Sequence, residues 1–250
     1  MSSIFISGAA EGIGRAVAHR FLTEGWTVGA YDIAPVSYSH PNLVAGHLDA
    51  SDVESWDAAL ADFTAHTGGT LDVLDNNAGV IAAGALASLP ATKVAAQIQV
   101  NALGVTLGAR AAHRYLAATE GSQLVNMASA SAIYGQPDIA VYSATKSYVG
   151  GLTEALGLEW EPDGIRVIDI WPLWAKTKLS DNDATSVRRL GVHITPEQIA
   201  EVIWDATHPA NRWQRGKIHY GVSLLDKAMY WARSVSPDRT ARFVNRFISA

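Results

Sequence analysis

Short β-branched runs alternate along the chain with longer segments of helical period, and this rhythm constrains the fold more than any other feature. An apolar run at residues 3–7 is followed by a helical pattern over 12–24, apolar runs at 26–31 and 43–48, and a helical pattern over 51–66. Further on come a strand at 71–74, a long helical stretch over 91–116, a strand at 123–128, a long helix over 141–160 and a strand at 165–170. Thr195-Pro196-Glu197-Gln198 reads as a capped helix start, and 217–221 as a last strand. Parallel strands need crossover connections that cover both faces of the sheet, so the expectation is an α/β fold with a doubly wound parallel sheet. Residues 33–42 carry two prolines and no apolar period, which predicts a loop crossover where a helix often stands. With no linker, repeat or low-complexity segment, 1–250 reads as a single domain whose residues 223–250 form a C-terminal helical extension.

Composition narrows the chemistry. The 250 residues contain no cysteine, which excludes disulfides, thiolate catalysis and cysteine-ligated metal centres. The eight histidines are scattered without a ligand spacing, so no metal is expected. A net charge of -5 leaves no basic footprint for nucleic acid. Met1-Ser2-Ser3 runs straight into apolar residues without a basic leader, and no run of about 18 apolar residues occurs. A cytoplasmic enzyme is the expectation.

After the first strand comes Ser7-Gly8-Ala9-Ala10-Glu11-Gly12-Ile13-Gly14, with three glycines where strand turns into helix. Glycine lets the backbone approach a pyrophosphate, and a helix N-terminus offers free N–H donors and a favourable dipole. The same pattern also serves as a tight turn without a ligand. Asp32, at the end of the second strand, can accept bonds from both hydroxyls of an adenosine ribose and would repel a 2'-phosphate. Glu11 adds negative charge and no Arg or Lys directly follows Asp32, so NAD(H) is favoured over NADP(H). An aspartate that merely caps the following turn is the alternative.

Tyr142-Ser143-Ala144-Thr145-Lys146 starts a predicted helix, where i,i+4 spacing puts phenol and ammonium on one face. A nearby ammonium and a cationic nicotinamide would both favour phenolate, making Tyr142 a general acid/base. Tyr and Lys at this spacing are also common on amphipathic helices. Here Ser129, 13 residues earlier at the end of a strand, can orient a substrate oxygen, and Asn101 can hold a water in a proton path or simply kink its helix.

These motifs together resemble a short-chain dehydrogenase/reductase of the single-domain subclass, with Asn76-Asn77-Ala78-Gly79 in the family's order and spacing. The resemblance spans nearly the whole chain. It implies a Rossmann-type sheet of about seven strands and a catalytic tetrad of Asn101, Ser129, Tyr142 and Lys146. The implied cofactor residues are Gly8, Glu11, Gly12, Ile13, Gly14, Asp32, Ile33, Asp49, Ala50, Asn77, Ala78, Gly79, Tyr142, Lys146, Pro172, Ala175 and Thr177. It also implies a homodimer or homotetramer paired through the helices around Asn101 and Tyr142. One position departs: Leu173 stands where the family has glycine after proline, which adds a side chain beside the expected nicotinamide and denies the backbone glycine-only angles.

For the substrate, Ser131, Tyr134, Asp138 and Trp174 are candidate contacts, and 179–193 a mobile lid. Ser131 and Asp138 can read a second polar group; ordinary loop or core roles are the alternatives. A hydrophobic or aromatic secondary alcohol or ketone is the expected substrate. Residues 224–250 pattern as two basic amphipathic helices broken at Ser236-Pro237-Asp238, suited to docking on the body, covering the pocket, packing on another subunit or peripheral membrane contact. A non-catalytic dinucleotide-binding sensor needs the glycine loop and Asp32 but not Ser129, Tyr142 and Lys146 together. An epimerase or dehydratase usually needs a larger substrate domain.

Overall fold

The computed structural model describes residues 2–182 and 184–235. Its elements in chain order are β1 (Ser3–Ser7), α1 (Gly12–Thr23), β2 (Thr27–Asp32), β3 (Leu43–His47), α2 (Val53–Ala65), β4 (Val73–Asn76), α3 (Ala91–Ile98), α4 (Val105–Ala117) and β5 (Gln123–Met127). Then follow α5 (Ala140–Glu159), β6 (Arg166–Trp171), α6 (Thr185–Leu190), α7 (Pro196–Thr207), α8 (Arg212–Arg215), β7 (His219–Gly221) and α9 (Leu224–Val235). The seven strands pair in parallel in the order β3-β2-β1-β4-β5-β6-β7. This is the doubly wound Rossmann-type arrangement expected from the sequence, and β2 reaches β3 through a loop without a helix.

Two apolar layers sandwich the sheet. On one face Ile4, Ile6, Val28, Val125 and Ile168 pack against Val17 and Phe21 of α1 and Ile199 and Ile203 of α7. On the other, Phe5 and Leu74 pack against Trp56, Leu60 and Phe63 of α2 and Ala112 and Leu116 of α4. Strand β1 is buried on both faces, which is why it reads as a continuous run of large apolar side chains. The expected capping box opens α7: the Thr195 hydroxyl accepts the Gln198 N–H and the Gln198 side chain accepts the Thr195 N–H.

The long helix expected over 91–116 is not regular. Between α3 and α4 lies one π-helical segment, Gln99–Gly104, and it carries Asn101. A π segment inserts an extra residue per turn, and such bulges gather at functional sites. Its local cost is offset here by the Asn101 side chain, which bonds another segment's main chain.

The strand order reverses between β1 and β4, and in such sheets ligands bind outside the carboxyl ends of the strands at that crevice. The C-terminal expectation is met only for its first half. Helix α9 docks on the body through buried Met229, against Tyr134, with Trp171 and Leu173 alongside, and its carboxylate Asp226 accepts the Val222 and Ser223 N–H groups. Leu224 and Trp231 stay exposed. The second amphipathic helix lies outside the described residues. Among the described residues no helix is long and apolar enough to cross a membrane, and no group of acidic and histidine side chains could hold a metal ion.

Candidate active site

The loop after β1 and the turn after β4 form one wall of a cavity of about 920 Å³. Gly8 and Gly12 adopt positive φ, at 70° and 57°, the left-handed region that favours glycine. A Cβ on Gly14 would lie 2.2 Å from the Gly8 carbonyl oxygen, so helix α1 can start this close to the loop only with glycine there. The Asn77 amide donates to the Ser7 and Gly8 carbonyls at 2.9 and 3.0 Å, and the Ser7 hydroxyl accepts the Asn77 and Ala78 N–H groups at 3.1 Å each. Loop and turn are thereby locked together. Every cofactor residue expected from the sequence lines this cavity except Gly14, which sits behind its wall.

Asp32 stands on the cavity wall and also caps a turn: its two oxygens accept the Ala10 and Ala34 N–H groups at 2.9 Å. Asp49 also caps its own turn, accepting the Ser51 N–H and hydroxyl, which hold its carboxyl below the usual range. The charge expected from Glu11 needs correction: its carboxylate is ion-paired with Lys178 at the cavity mouth, an exposed pair that offsets the charge. Arg15 is a residue sequence reasoning missed. Its guanidinium lies on the cavity wall, 5.4 Å from the Tyr38 ring centroid, and nothing in the motif spacing marks it.

The reacting groups lie at the other end of the same cavity. Ser129 ends the segment after β5 in extended conformation and opens the turn 130–132, where the Ser131 N–H donates to its hydroxyl at 3.1 Å. Ser129 also hydrogen-bonds the Tyr142 phenol, one turn from Lys146 on α5. The Lys146 ammonium lies 5.6 Å from the Tyr142 ring centroid and donates to the Met127 carbonyl. Burial pushes the Tyr142 phenol up to about 12, against the opposing Ser129 hydrogen bond, and pulls Lys146 down to about 8. The protein alone therefore does not lower the phenol as the i,i+4 spacing suggests. Desolvation disfavours both charged forms, and the ammonium is aimed at a carbonyl rather than at the phenol oxygen.

Asn101 is fully buried, and its side chain accepts the Val80 N–H and donates to the Val80 carbonyl, each at 2.8 Å, and to the Thr145 hydroxyl at 3.3 Å. Both amide hydrogens are thus used. The side chain thereby pins the turn after β4 to α5.

Of the four expected substrate contacts, Ser131 and Trp174 line the cavity; Tyr134 and Asp138 do not. Tyr134 is packed beneath α9. Asp138, at φ 65°, accepts the Thr185 N–H and hydroxyl on one carboxyl oxygen, Oδ2, at 3.2 and 2.8 Å, and so anchors the first turn of α6. The segment around α6 covers the site: Ala184 packs with Tyr142 and Ile139, and the Trp174 indole N–H donates to Ser186 at 3.2 Å. Leu173 takes no positive φ, since Asp138 is the sole non-glycine residue among those described that does. Its side chain packs on the apolar layers and also lines the cavity. Thr177 stands close to the glycine loop: a Cβ on Gly12 would meet its methyl at 3.4 Å. Gln136, buried on the cavity wall, was not anticipated, because no pattern distinguishes it from a loop glutamine.

Comparison with known proteins agrees with this geometry. The chain is 32% identical over 216 residues to a meso-2,3-butanediol dehydrogenase from Serratia marcescens, covering 80% of this chain and 84% of that protein. In structure it superposes on a short chain dehydrogenase from Burkholderia cenocepacia in complex with NADP, with a TM-score of 0.85 over 100% of this chain and 98% of the other at 22% identity. A short chain dehydrogenase/reductase from Burkholderia phymatum in complex with NAD gives a TM-score of 0.80 over 93% and 92%, also at 22% identity. The family model for short chain dehydrogenases matches residues 2–187, and the chain belongs to that family of oxidoreductases.

Proposed function

We propose that the protein interconverts a secondary alcohol and a ketone with NAD(H), Tyr142 acting as the general acid/base. The observation that carries this is the placement of Ser129, Tyr142 and Lys146 on the wall of the cavity whose other end holds the glycine loop and Asp32. The residues present fit a dinucleotide. The glycine loop puts bare backbone on the cavity wall, α1 starts from that loop, and Asp32 suits a ribose diol. A bound nicotinamide supplies hydride to the carbonyl carbon, or takes it from the alcohol carbon.

The chain's own residues do the rest. Ser129 donates to the substrate oxygen and fixes it beside the phenol. In reduction Tyr142 passes its proton to that oxygen as negative charge develops; in oxidation it removes the hydroxyl proton. The raised affinity of the buried phenol for its proton suits the acid role in the free protein. Lys146 binds the nicotinamide ribose and brings a positive charge to the phenol's surroundings. Asn101 acts by position, holding the turn after β4 against α5. The Asp32 carboxylate supports NAD over NADP, and Arg15, which lines the same cavity, favours a phosphate. The relative named for meso-2,3-butanediol supports a secondary alcohol as substrate.

A screen of ketones with NADH and of alcohols with NAD, followed by nicotinamide absorbance, tests the reading beside Tyr142→Phe. Wild-type turnover that falls by about 10²- to 10⁴-fold in kcat in the variant, with NADH still bound, is the expected result. NADH binding without turnover of any alcohol or ketone would overturn it in favour of a dinucleotide sensor.

A further inference from the structure

We infer that Ser131 and Gln136 form a second polar subsite beside Tyr142 that reads a hydroxyl on the carbon next to the reacting one. The preferred substrates are then α-hydroxy ketones and vicinal diols. The inference rests on the oxidoreductase reading above and narrows its substrate.

Ser131 is tied to the catalytic serine through its main-chain N–H, yet its own hydroxyl is buried without a hydrogen-bond partner. Gln136 is 4% exposed, and its main-chain N–H donates to the hydroxyl of Ser143, the neighbour of Tyr142, at 3.2 Å. Its side-chain oxygen is likewise buried and unpartnered. Of the buried side-chain polar atoms left without a partner among the described residues, only these two belong to residues on the cavity wall, and because both atoms are closed to solvent in the free protein, each side chain turns about its own bonds to meet a substrate. Leaving such groups unpaired in a folded protein is costly, and a site that pairs them only when substrate is bound converts that cost into selectivity.

The other polar side chains considered for this role are spent. Asp138 holds Thr185, the Trp174 N–H holds Ser186, and Asn101 holds Val80 and Thr145. The chemistry of the two free groups is also specific. A substrate hydroxyl can donate to the Gln136 carbonyl oxygen and accept from the Ser131 hydroxyl; a second carbonyl can only accept. The Ser131 main-chain N–H donates to the Ser129 hydroxyl at 3.1 Å, which places Ser131 next to the residue that orients the reacting oxygen, and a second oxygen on the adjacent carbon suits that spacing. On the same cavity wall Ala130, Leu173 and Trp174 supply an apolar lining for a short alkyl group.

The test compares kcat/KM for 3-hydroxy-2-butanone, 2,3-butanedione and 2-butanone, with NADH and NADPH, in wild type, Gln136→Leu, Gln136→Glu and Ser131→Ala. Wild type is expected to favour the hydroxy ketone over 2-butanone by at least ten-fold and over the dione by several-fold. Gln136→Leu should cut the first ratio by about ten-fold and Ser131→Ala by several-fold, while Gln136→Glu, which keeps an acceptor, retains most of it. The ratio cancels losses common to all ketones, and Ser131→Ala carries the test should Gln136→Leu fail to fold. A wild-type ratio near one, or a ratio unchanged in Gln136→Leu and Ser131→Ala, overturns the subsite while leaving the oxidoreductase reading intact. No turnover of any ketone with either cofactor overturns both.

Discussion

Asp75 lies in the middle of the sheet, on β4 between Ile6 and Val125, fully buried and with neither carboxyl oxygen hydrogen-bonded. Replacing it by valine should stabilise the protein, and by an amount that depends on pH. Burial carries the carboxyl from 3.8 to about 8. The native state therefore holds a proton that the unfolded chain has released at every pH between those values. Folding stability falls as pH rises through that window, by about 1.4 kcal/mol per pH unit, and flattens above it. At pH 7 the full cost comes to about 4 kcal/mol, an upper bound because buried charges relax and draw in water.

Valine removes the titration and suits a central strand between apolar neighbours. A gain of about 2–4 kcal/mol at pH 7.5 is expected, or roughly 5–15 °C in Tm for a chain of this size. Near pH 4 only the part due to the unpaired neutral carboxyl remains, about 1 kcal/mol. Thermal melts of wild type and Asp75→Val across pH 4–9 measure the difference directly. Asp75→Asn serves as control, since it removes the titration but keeps an unpaired polar group. Parallel melting curves for wild type and Asp75→Val across the whole range would refute the argument, because they would show that the carboxyl is paired or already ionised at no cost.

Two further outcomes follow from the site. Asp32→Ser should raise kcat/KM with NADPH relative to NADH by ten-fold or more, because it removes the carboxylate that would face the 2'-phosphate and leaves Arg15 in place; an unchanged ratio in steady-state assays counts against Asp32 as the selectivity residue. Asp138→Ala should free the first turn of α6, raising KM more than it lowers kcat and speeding proteolysis within 179–193, whereas unchanged KM and cleavage would mean that the lid is held elsewhere.

Much of this was legible in the sequence because it depends on local spacing. Strand and helix periods predict the sheet, and the glycines at 8, 12 and 14 announce a strand-to-helix turn wherever it sits in space. Tyr142 and Lys146 share a face of α5 by helical geometry alone. What was not legible depends on contacts between distant segments. The π segment at Asn101 coincides with an amide that bonds Val80, 21 residues away. Glu11 loses its electrostatic argument to Lys178, and the phenol of Tyr142 responds to burial more than to its neighbour four residues on.

Asp138 and Gln136 show why residue type could not have ranked the substrate contacts. The aspartate carries the stronger charge, sits closer to Tyr142 in sequence and looks like the better recognition group. One of its carboxyl oxygens, Oδ2, is nevertheless taken up by the Thr185 N–H and hydroxyl, and the residue, at φ 65°, lies off the cavity wall. The glutamine, two residues earlier and outwardly ordinary, keeps its side-chain oxygen unspent inside the cavity wall. A polar residue contributes to recognition through the hydrogen-bonding capacity left over after folding, and that remainder is a property of the tertiary structure. The same logic sets Asp75 apart. Its unspent carboxyl faces an apolar layer with no access to the cavity, so the remainder that provides selectivity at Gln136 is at Asp75 only a cost to stability.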